Sequence, residues 1–196
     1  MRGKFLFPAI AVLALPLAAC NQQTVAPATQ GESPFRLTAT IQELMDAEVD
    51  PSADFIWGSV GFIANKNGVQ DKTPKTDKDW AAVRNNAIIM IEAANLLVMP
   101  GRQVAREGLP LDVEEKGGIE DPKEIQKAIG EKRDAFVGFA HRLYDVGVEM
   151  LTAIDKKDLV TMDALGEKLD AACEQCHRTF WYPNAVEPIQ TLEPPK

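Results

Sequence analysis

From about Thr38 to Tyr182 the apolar residues recur at three- and four-residue spacings, and no stretch of similar length alternates apolar with polar, so the pattern predicts helices and no strand. The first helix opens at Thr38 or Thr40 and shows Ile41, Leu44, Met45 and Val49 on one side. It then meets Asp50-Pro51, which reads as the cap and first position of a continuation, with a kink near the proline. The continuation carries Phe55, Ile56, Trp57, Val60 and Phe62 and ends in the turn formers Asn65-Lys66-Asn67-Gly68. A second helix, capped by Thr76 or Asp77, runs through Trp80, Val83, Ala87, Ile88, Ile91, Ala94 and Val98 to the stop Pro100-Gly101. Asp121-Pro122 begins a third, which includes Ile125, Ile129, Phe136, Phe139, Ala140, Leu143, Val146, Leu151 and Ile154 and is divided by Gly130. Asp158 caps a fourth, where Met162, Leu165, Leu169, Ala172, Cys173 and Cys176 fall on one face.

Four amphipathic helices of about 20 residues each predict an all-α domain over residues 36–183, an antiparallel four-helix bundle whose centre can hold a cofactor between facing helices. The connection over residues 101–120 holds five glycines or prolines and is longer than a usual bundle loop, which suits either a functional segment or a mobile one. Residues 184–196 form a Pro-containing tail outside the bundle.

The N-terminus changes the picture of where the chain works. Met1-Arg2-Gly3-Lys4 precedes an uncharged run of about 15 residues with two prolines, short against the roughly 20 a spanning helix needs, so residues 1–19 read as a cleaved export signal. The run ends in Leu17-Ala18-Ala19-Cys20, which resembles a bacterial lipobox; Cys20 would be the lipidated first residue of the mature chain, and the polar stretch 20–35 a tether to the membrane. A secreted protein with a free Cys20 is the competing reading. Removing Arg2 and Lys4 from 21 basic residues, against 29 acidic ones, takes the formal charge from −8 to −10. Such a chain repels nucleic acid and anionic headgroups, so an acyl chain rather than a basic patch would hold it to a membrane.

The candidate chemistry lies at Cys173-Glu174-Gln175-Cys176-His177. Two cysteines separated by two residues can form thioethers with the two vinyl groups of a haem, and the next histidine puts its imidazole under the iron. At roughly 100° per residue, Cys176 lies about 60° to one side of Cys173 and His177 about 40° to the other, so the three share a helix face. A redox disulfide would be expected near a strand-helix junction, which the pattern lacks; a zinc site needs further ligands, and the mature chain offers only His141. Three cysteines cannot pair completely, whereas lipid on Cys20 and haem on Cys173 and Cys176 use all of them.

Electron transfer favours an iron with both axial positions filled, and gas binding or peroxide chemistry an open one. Candidates for the sixth position are His141, Met45, Met90, Met99, Met150 and Met162. Met45 stands on the apolar face of the first helix, where core packing is the competing role. His141, with Arg142 beside it and Asp145 one turn on, also suits a boundary position facing water.

A helical chain with its haem motif in the last helix resembles the class II cytochromes c, the cytochrome c′ and cytochrome c556 group, over about residues 36–182. In the low-spin members of that class a Met from the first helix is the sixth ligand, and the resemblance implies this role for Met45, which matches the position in Ile41-Gln42-Glu43-Leu44-Met45-Asp46. It also matches Phe180, three residues after His177. The chain departs at Trp181, where high-spin cytochromes c′ commonly carry a basic residue, which points to a haem sealed by apolar contacts. Asp50-Pro51-Ser52-Ala53-Asp54-Phe55-Ile56-Trp57 and Phe180-Trp181-Tyr182-Pro183 are similar to an often lipid-anchored branch of the group.

The expectation is a periplasmic, lipid-anchored carrier of single electrons that serves redox partner proteins and is not an enzyme. One haem c is held by Cys173 and Cys176, with His177 as proximal and Met45 as distal ligand. An NO- or CO-binding protein with an open sixth site is the alternative, and a peroxidase would need His141 over the iron. Dimerisation is common in the class, so a homodimer is left open.

Overall fold

A capping box starts the first helix. Thr40 is extended (φ −80°, ψ 173°), its side chain accepts from Glu43 N at 3.1 Å, and the Glu43 carboxylate accepts from Thr40 N at 2.9 Å. This is the later of the two expected starts. The next two free N–H groups, on Ile41 and Gln42, donate to Gln103 O and Val104 O, both at 2.9 Å. The connection after the second long helix therefore completes the N-terminus of the first one. The structure, a computed structural model, describes residues 34–66, 68–109, 111 and 118–185, with backbone only for 62–65. The export signal, Cys20 and all of the tether before Pro34 lie outside the described residues, as does the tail from 186 onward.

Helix α1 (Ile41–Leu44) passes into a π-helical turn (Met45–Val49) and then α2 (Asp50–Gly58). Pro51 has no N–H to give, and its ring crowds the carbonyl four residues back, so a regular α-turn cannot pass through it. The backbone responds by widening: the Asp50 N–H donates five residues back, to Met45 O. Asp50 is helical (φ −61°, ψ −49°), so the expected cap at Asp50 is corrected, and the disturbance at Pro51 is a wide turn upstream of it.

The expected continuation to Phe62 is also corrected. Helix α2 ends at Gly58, where Ser59 Oγ donates back to Phe55 O at 2.6 Å. Beyond it β1 (Phe62–Asn65) pairs antiparallel with β2 (Gly68–Asp71), from Phe62 opposite Asp71 to Asn65 opposite Gly68. The tight reversal uses Gly68 at φ +112°, which side chains rarely adopt. Strand β2 is exposed throughout, so no apolar alternation marks it.

Thr76 caps α3 (Asp77–Leu97) through a second capping box, with Asp79. Asp121 caps α4 (Pro122–Glu131) by accepting from Lys123 N at 2.9 Å. The break before α5 (Arg133–Asp155) falls at Lys132 (φ −118°, ψ 40°), two residues after Gly130, which stays inside α4. Lys157 turns the chain in the left-handed region (φ 56°), and Asp158 caps α6 (Leu159–Phe180) by accepting from Thr161 N at 3.1 Å.

The molecule is mostly helical and all-α in class, with one small hairpin among the described residues. Helix α3 packs along α5, α5 along α6, and α2 against both α3 and α6. Arg84 pairs with Asp155 near one end of α3, and Arg133 donates to Val98 O at the other, so α3 and α5 run antiparallel. Lys168 pairs with Glu149 while Phe136 meets Phe180, which sets α6 antiparallel to α5. Two glycines permit the closest approaches. A Cβ on Gly147 would lie 2.6 Å from Ile91 Cγ1, and one on Gly166 would lie 3.3 Å from Trp57 Cδ1, where the indole N–H donates to Gly166 O at 3.2 Å.

Two hydrophobic clusters result. One gathers Val83, Ala87, Met90, Ala94, Leu143, Met150, Met162 and Leu169 between α2, α3, α5 and α6. The other gathers Ile41, Leu44, Leu97, Ile125, Ile129, Phe136 and Phe180 with Val104 and Leu111 of the connection. The described part of that connection is packed: Val104 is 1% exposed, and Gln126 Oε1 accepts its N–H at 2.8 Å. Arg102 is 7% exposed, its guanidinium donating to Leu96 O at 2.8 Å and to Ala39 O. Among the described residues no helix is long and apolar enough to cross a membrane.

Candidate functional site

The last two turns of α6 carry Cys173, Cys176 and His177 to the seam between the clusters: Cys173 packs against the methionine-rich cluster and Cys176 against the aromatic one. Beside them is a pocket with about 440 Å³ of empty space, partly open to solvent. Met45, Val49 and Asp50 line it from the π-turn and the start of α2, Leu97 from the end of α3, and Phe136, Phe139, Ala140 and Leu143 from α5. Ala172, Cys173, Cys176 and His177 complete the wall from α6. All but four of these twelve side chains are hydrocarbon or thioether, the exceptions being Asp50, the two thiols and the imidazole.

The four residues singled out by sequence therefore meet at one pocket. Of the other methionines, Met90, Met150 and Met162 are each 0% exposed inside the methionine-rich cluster, and Met99 Sδ accepts from Arg102 at 3.5 Å. Met45 alone among them lines the pocket, partly buried and in contact with both clusters. His141 is exposed on α5 and is no part of the lining, because the turn that buries Ala140 and Leu143 points it outward. It drops out as a second candidate.

Burial drives the electrostatics. It pushes the Cys173 thiol up to about 12, with the nearby Asp50, Asp170 and Glu174 carboxylates adding to the rise, and it pushes Cys176 up to about 12 as well. A redox Cys-x-x-Cys pair needs the reverse, a thiolate favoured by the N-terminal end of a helix, whereas these thiols sit near the C-terminal end of α6. Burial also lowers the His177 imidazole below its ordinary value, against the opposing pull of Asp50 and Glu174. A neutral imidazole is the form with a nitrogen lone pair to give. Among the described residues no group of three or more His, Cys, Asp or Glu side chains is arranged to hold a metal ion by itself.

The surroundings of His177 are ordered. Its ring lies 5.9 Å from that of Trp181 and 6.0 Å from that of Tyr182. Glu174 accepts from Arg178 Nε and Tyr182 OH, and the Trp181 carbonyl accepts from Ile119 N at 2.7 Å, which ties the end of the connection to the end of α6. Phe180 is 0% exposed and meets Phe136 edge-on at 5.6 Å and Phe139 at 6.2 Å, so it buttresses the pocket wall from behind.

The sequence reading missed Asp50 as a pocket residue and the α5 side chains as lining. Helical spacing placed the latter on an inner face but could not tell wall from core. The signal for Asp50 was Pro51 itself, because an in-helix proline demands a local change in backbone pitch. Comparison with protein-family models, with curated proteins and with solved structures returns no match.

Proposed function

We propose that this protein is a monohaem c-type cytochrome of the class II kind, an antiparallel four-helix bundle that carries single electrons. The observation behind this reading is that one apolar pocket gathers both motif thiols, the motif imidazole and a single methionine thioether from an opposing element. The donor set suits haem c: two thiols three residues apart for thioether bonds, a neutral imidazole and a soft sulfur for the iron.

In this reading Cys173 and Cys176 would hold the haem covalently, and His177 and Met45 would supply donors to its iron. When bound, the haem supplies a one-electron couple at its iron. The chain's own residues do the rest. Phe136, Phe139, Leu97 and Leu143 give the pocket an apolar wall, which would let ligands and apolar surroundings set the couple. Trp181 and Tyr182 flank the His177 ring and restrict its rotation. Met45 on the π-turn and His177 on α6 would supply both donors from helical elements, which suits a carrier. His141, which a peroxidase reading would need over the iron, is exposed on α5 and outside the pocket lining.

Export, lipid on Cys20, a periplasmic location and docking to redox partner proteins complete the reading, supported by the signal-like N-terminus and the acidic charge. The test is haem retention in the full chain expressed with a haem-attachment system. Wild type is expected to keep its haem through acid-organic extraction, and a Cys173→Ser/Cys176→Ser variant to lose it. Extraction of all haem from wild type would overturn the reading. Rapid CO binding by the reduced wild-type protein, unaltered in Met45→Ala, would move it to a gas-binding protein with an open sixth site.

A further inference from the structure

The end of α6 is folded back on its own motif. His177 O accepts two N–H groups, from Trp181 at 2.7 Å and from Tyr182 at 3.0 Å, so the chain curls round the histidine's carbonyl as the helix stops. The curl sets both rings against the imidazole, Trp181 at 5.9 Å with planes 61° apart and Tyr182 at 6.0 Å with planes 57° apart. Two further bonds hold the curl in place. Trp181 O accepts from Ile119 N at 2.7 Å, and the Tyr182 hydroxyl donates to Glu174 Oε2, eight residues back, inside the Cys-x-x-Cys motif. Glu174 divides its oxygens, since Oε1 accepts from Arg178 Nε one turn on. Arg178 thus orients the carboxylate and the carboxylate orients the tyrosine hydroxyl, and all three side chains are half-buried.

Resting on the haem reading above for its purpose, we propose that Glu174 is a positioning residue: through the Tyr182 hydroxyl it latches the turn after α6 against His177 and fixes the plane of the imidazole that would face the iron. A ligating imidazole takes its orientation from the protein groups around it. Rings packed against it restrain its rotation only while they are themselves held. Tyr182 lies just past the last turn of a helix, where backbone bonds open most readily. A hydrogen bond to an ionised acceptor is stronger than one between neutral groups, and half-burial limits its loss to water. Glu174 is no donor to the iron; it acts through Tyr182.

The experiment uses the full-length holoprotein as wild type, Tyr182→Phe, Glu174→Ala, Glu174→Gln and the Glu174→Ala/Tyr182→Phe double variant. Two quantities are read: amide exchange at Trp181 and Tyr182 in the reduced state, and the electron paramagnetic resonance spectrum of the oxidised iron, which follows the orientation of the imidazole plane. Tyr182→Phe keeps the ring and removes only the hydroxyl. It and Glu174→Ala are each expected to speed exchange about fivefold, the equivalent of one lost hydrogen bond of about 1 kcal/mol, and to broaden or split a spectrum that is a single set in wild type. The double variant should add nothing further, the signature of two changes acting through one bond. Glu174→Gln removes the charge but keeps an acceptor oxygen, so it should match wild type in both readings. Glu174→Gln behaving as Glu174→Ala would assign the effect to charge and overturn the latch. Wild-type exchange in Tyr182→Phe would also overturn it, leaving the carrier reading intact. Faster exchange with an unchanged spectrum would leave Glu174 holding the turn alone and overturn its positioning of His177. Wild type without covalent haem would overturn the carrier reading and the purpose given to the latch, while exchange on the same chains would still decide whether Glu174 holds the turn.

Discussion

The cluster around Met90, Met150 and Met162 and the cluster around Phe136 and Phe180 meet along the pocket, and they are packed by different means. In the first, long helices approach closely through small residues, Ala87, Ala93, Ala94 and Gly147, and flexible methionines fill what remains. In the second, short segments, Val104 and Leu111 are drawn together by edge-on aromatic rings and by backbone bonds at the start of α1. The first closes completely, whereas its meeting with the second leaves room. Methionine shows the difference most clearly. The same side chain is a space filler when α3, α5 or α6 buries it and a potential donor when the π-turn sets it at the seam.

Truncation should separate those two roles most sharply in the closed cluster. Met162→Ala leaves a cavity in a fully buried site and is expected to cost about 2–5 kcal/mol, read as a fall in thermal and denaturant midpoints, with the spectrum of the proposed haem unchanged. A smaller loss than that of Met45→Ala would break the comparison. Gly147→Ala comes next. Its Cβ would lie 2.6 Å from Ile91 Cγ1, so the α3–α5 contact must open. Overpacking costs about 1–3 kcal/mol, reduced by the roughly 1 kcal/mol that Ala gains over Gly in a helix. A rise in the denaturation midpoint would show that the helices are not held at that spacing.

The looser cluster offers a milder test at its entrance. Thr40→Ala removes the capping box that starts α1 and is expected to cost about 1 kcal/mol, visible as faster amide exchange over Ile41–Leu44 than over Asp77–Trp80. The smallest effect lies outside both clusters. Hydrogen bonds from Lys75 and Thr73 hold the Asp71 carboxyl down at about 2, below its ordinary 3.8. Because the folded value is depressed, the contribution is present above the unfolded value and is lost as pH falls from near 4 through about 2. An NMR titration should place the Asp71 midpoint near 2, and Asp71→Asn should flatten the acid limb of stability only in that window. A midpoint at 3.8 would mean that these exposed bonds are not held in solution.

Helix starts were legible in the sequence because their chemistry is local. Thr40, Thr76, Asp121 and Asp158 each bond a backbone N–H within three residues, and all four were among the expected starts. The motif face of α6 was equally legible, since three residues within one turn need no tertiary information. The hairpin was not, because β2 is exposed and carries no alternation, and the apolar run through Phe62 imitates a helix. Nor was the π-turn, which arises from a conflict between Pro51 and the preceding carbonyl rather than from a preference of Met45–Val49. The packing of the connection depends on Gln103 and Val104 meeting Ile41 and Gln42, some 60 residues apart in sequence, and periodicity carries no trace of such a meeting.

The account turns on Met45 being the donor that faces His177 across the seam. Optical spectra of the oxidised and reduced holoprotein, compared between wild type, Met45→Ala and Met162→Ala, address this directly. The account predicts a six-coordinate, low-spin iron in wild type and in Met162→Ala, and a five-coordinate, high-spin iron in Met45→Ala alone. A high-spin wild type, or a Met45→Ala spectrum indistinguishable from a low-spin wild type, would contradict it.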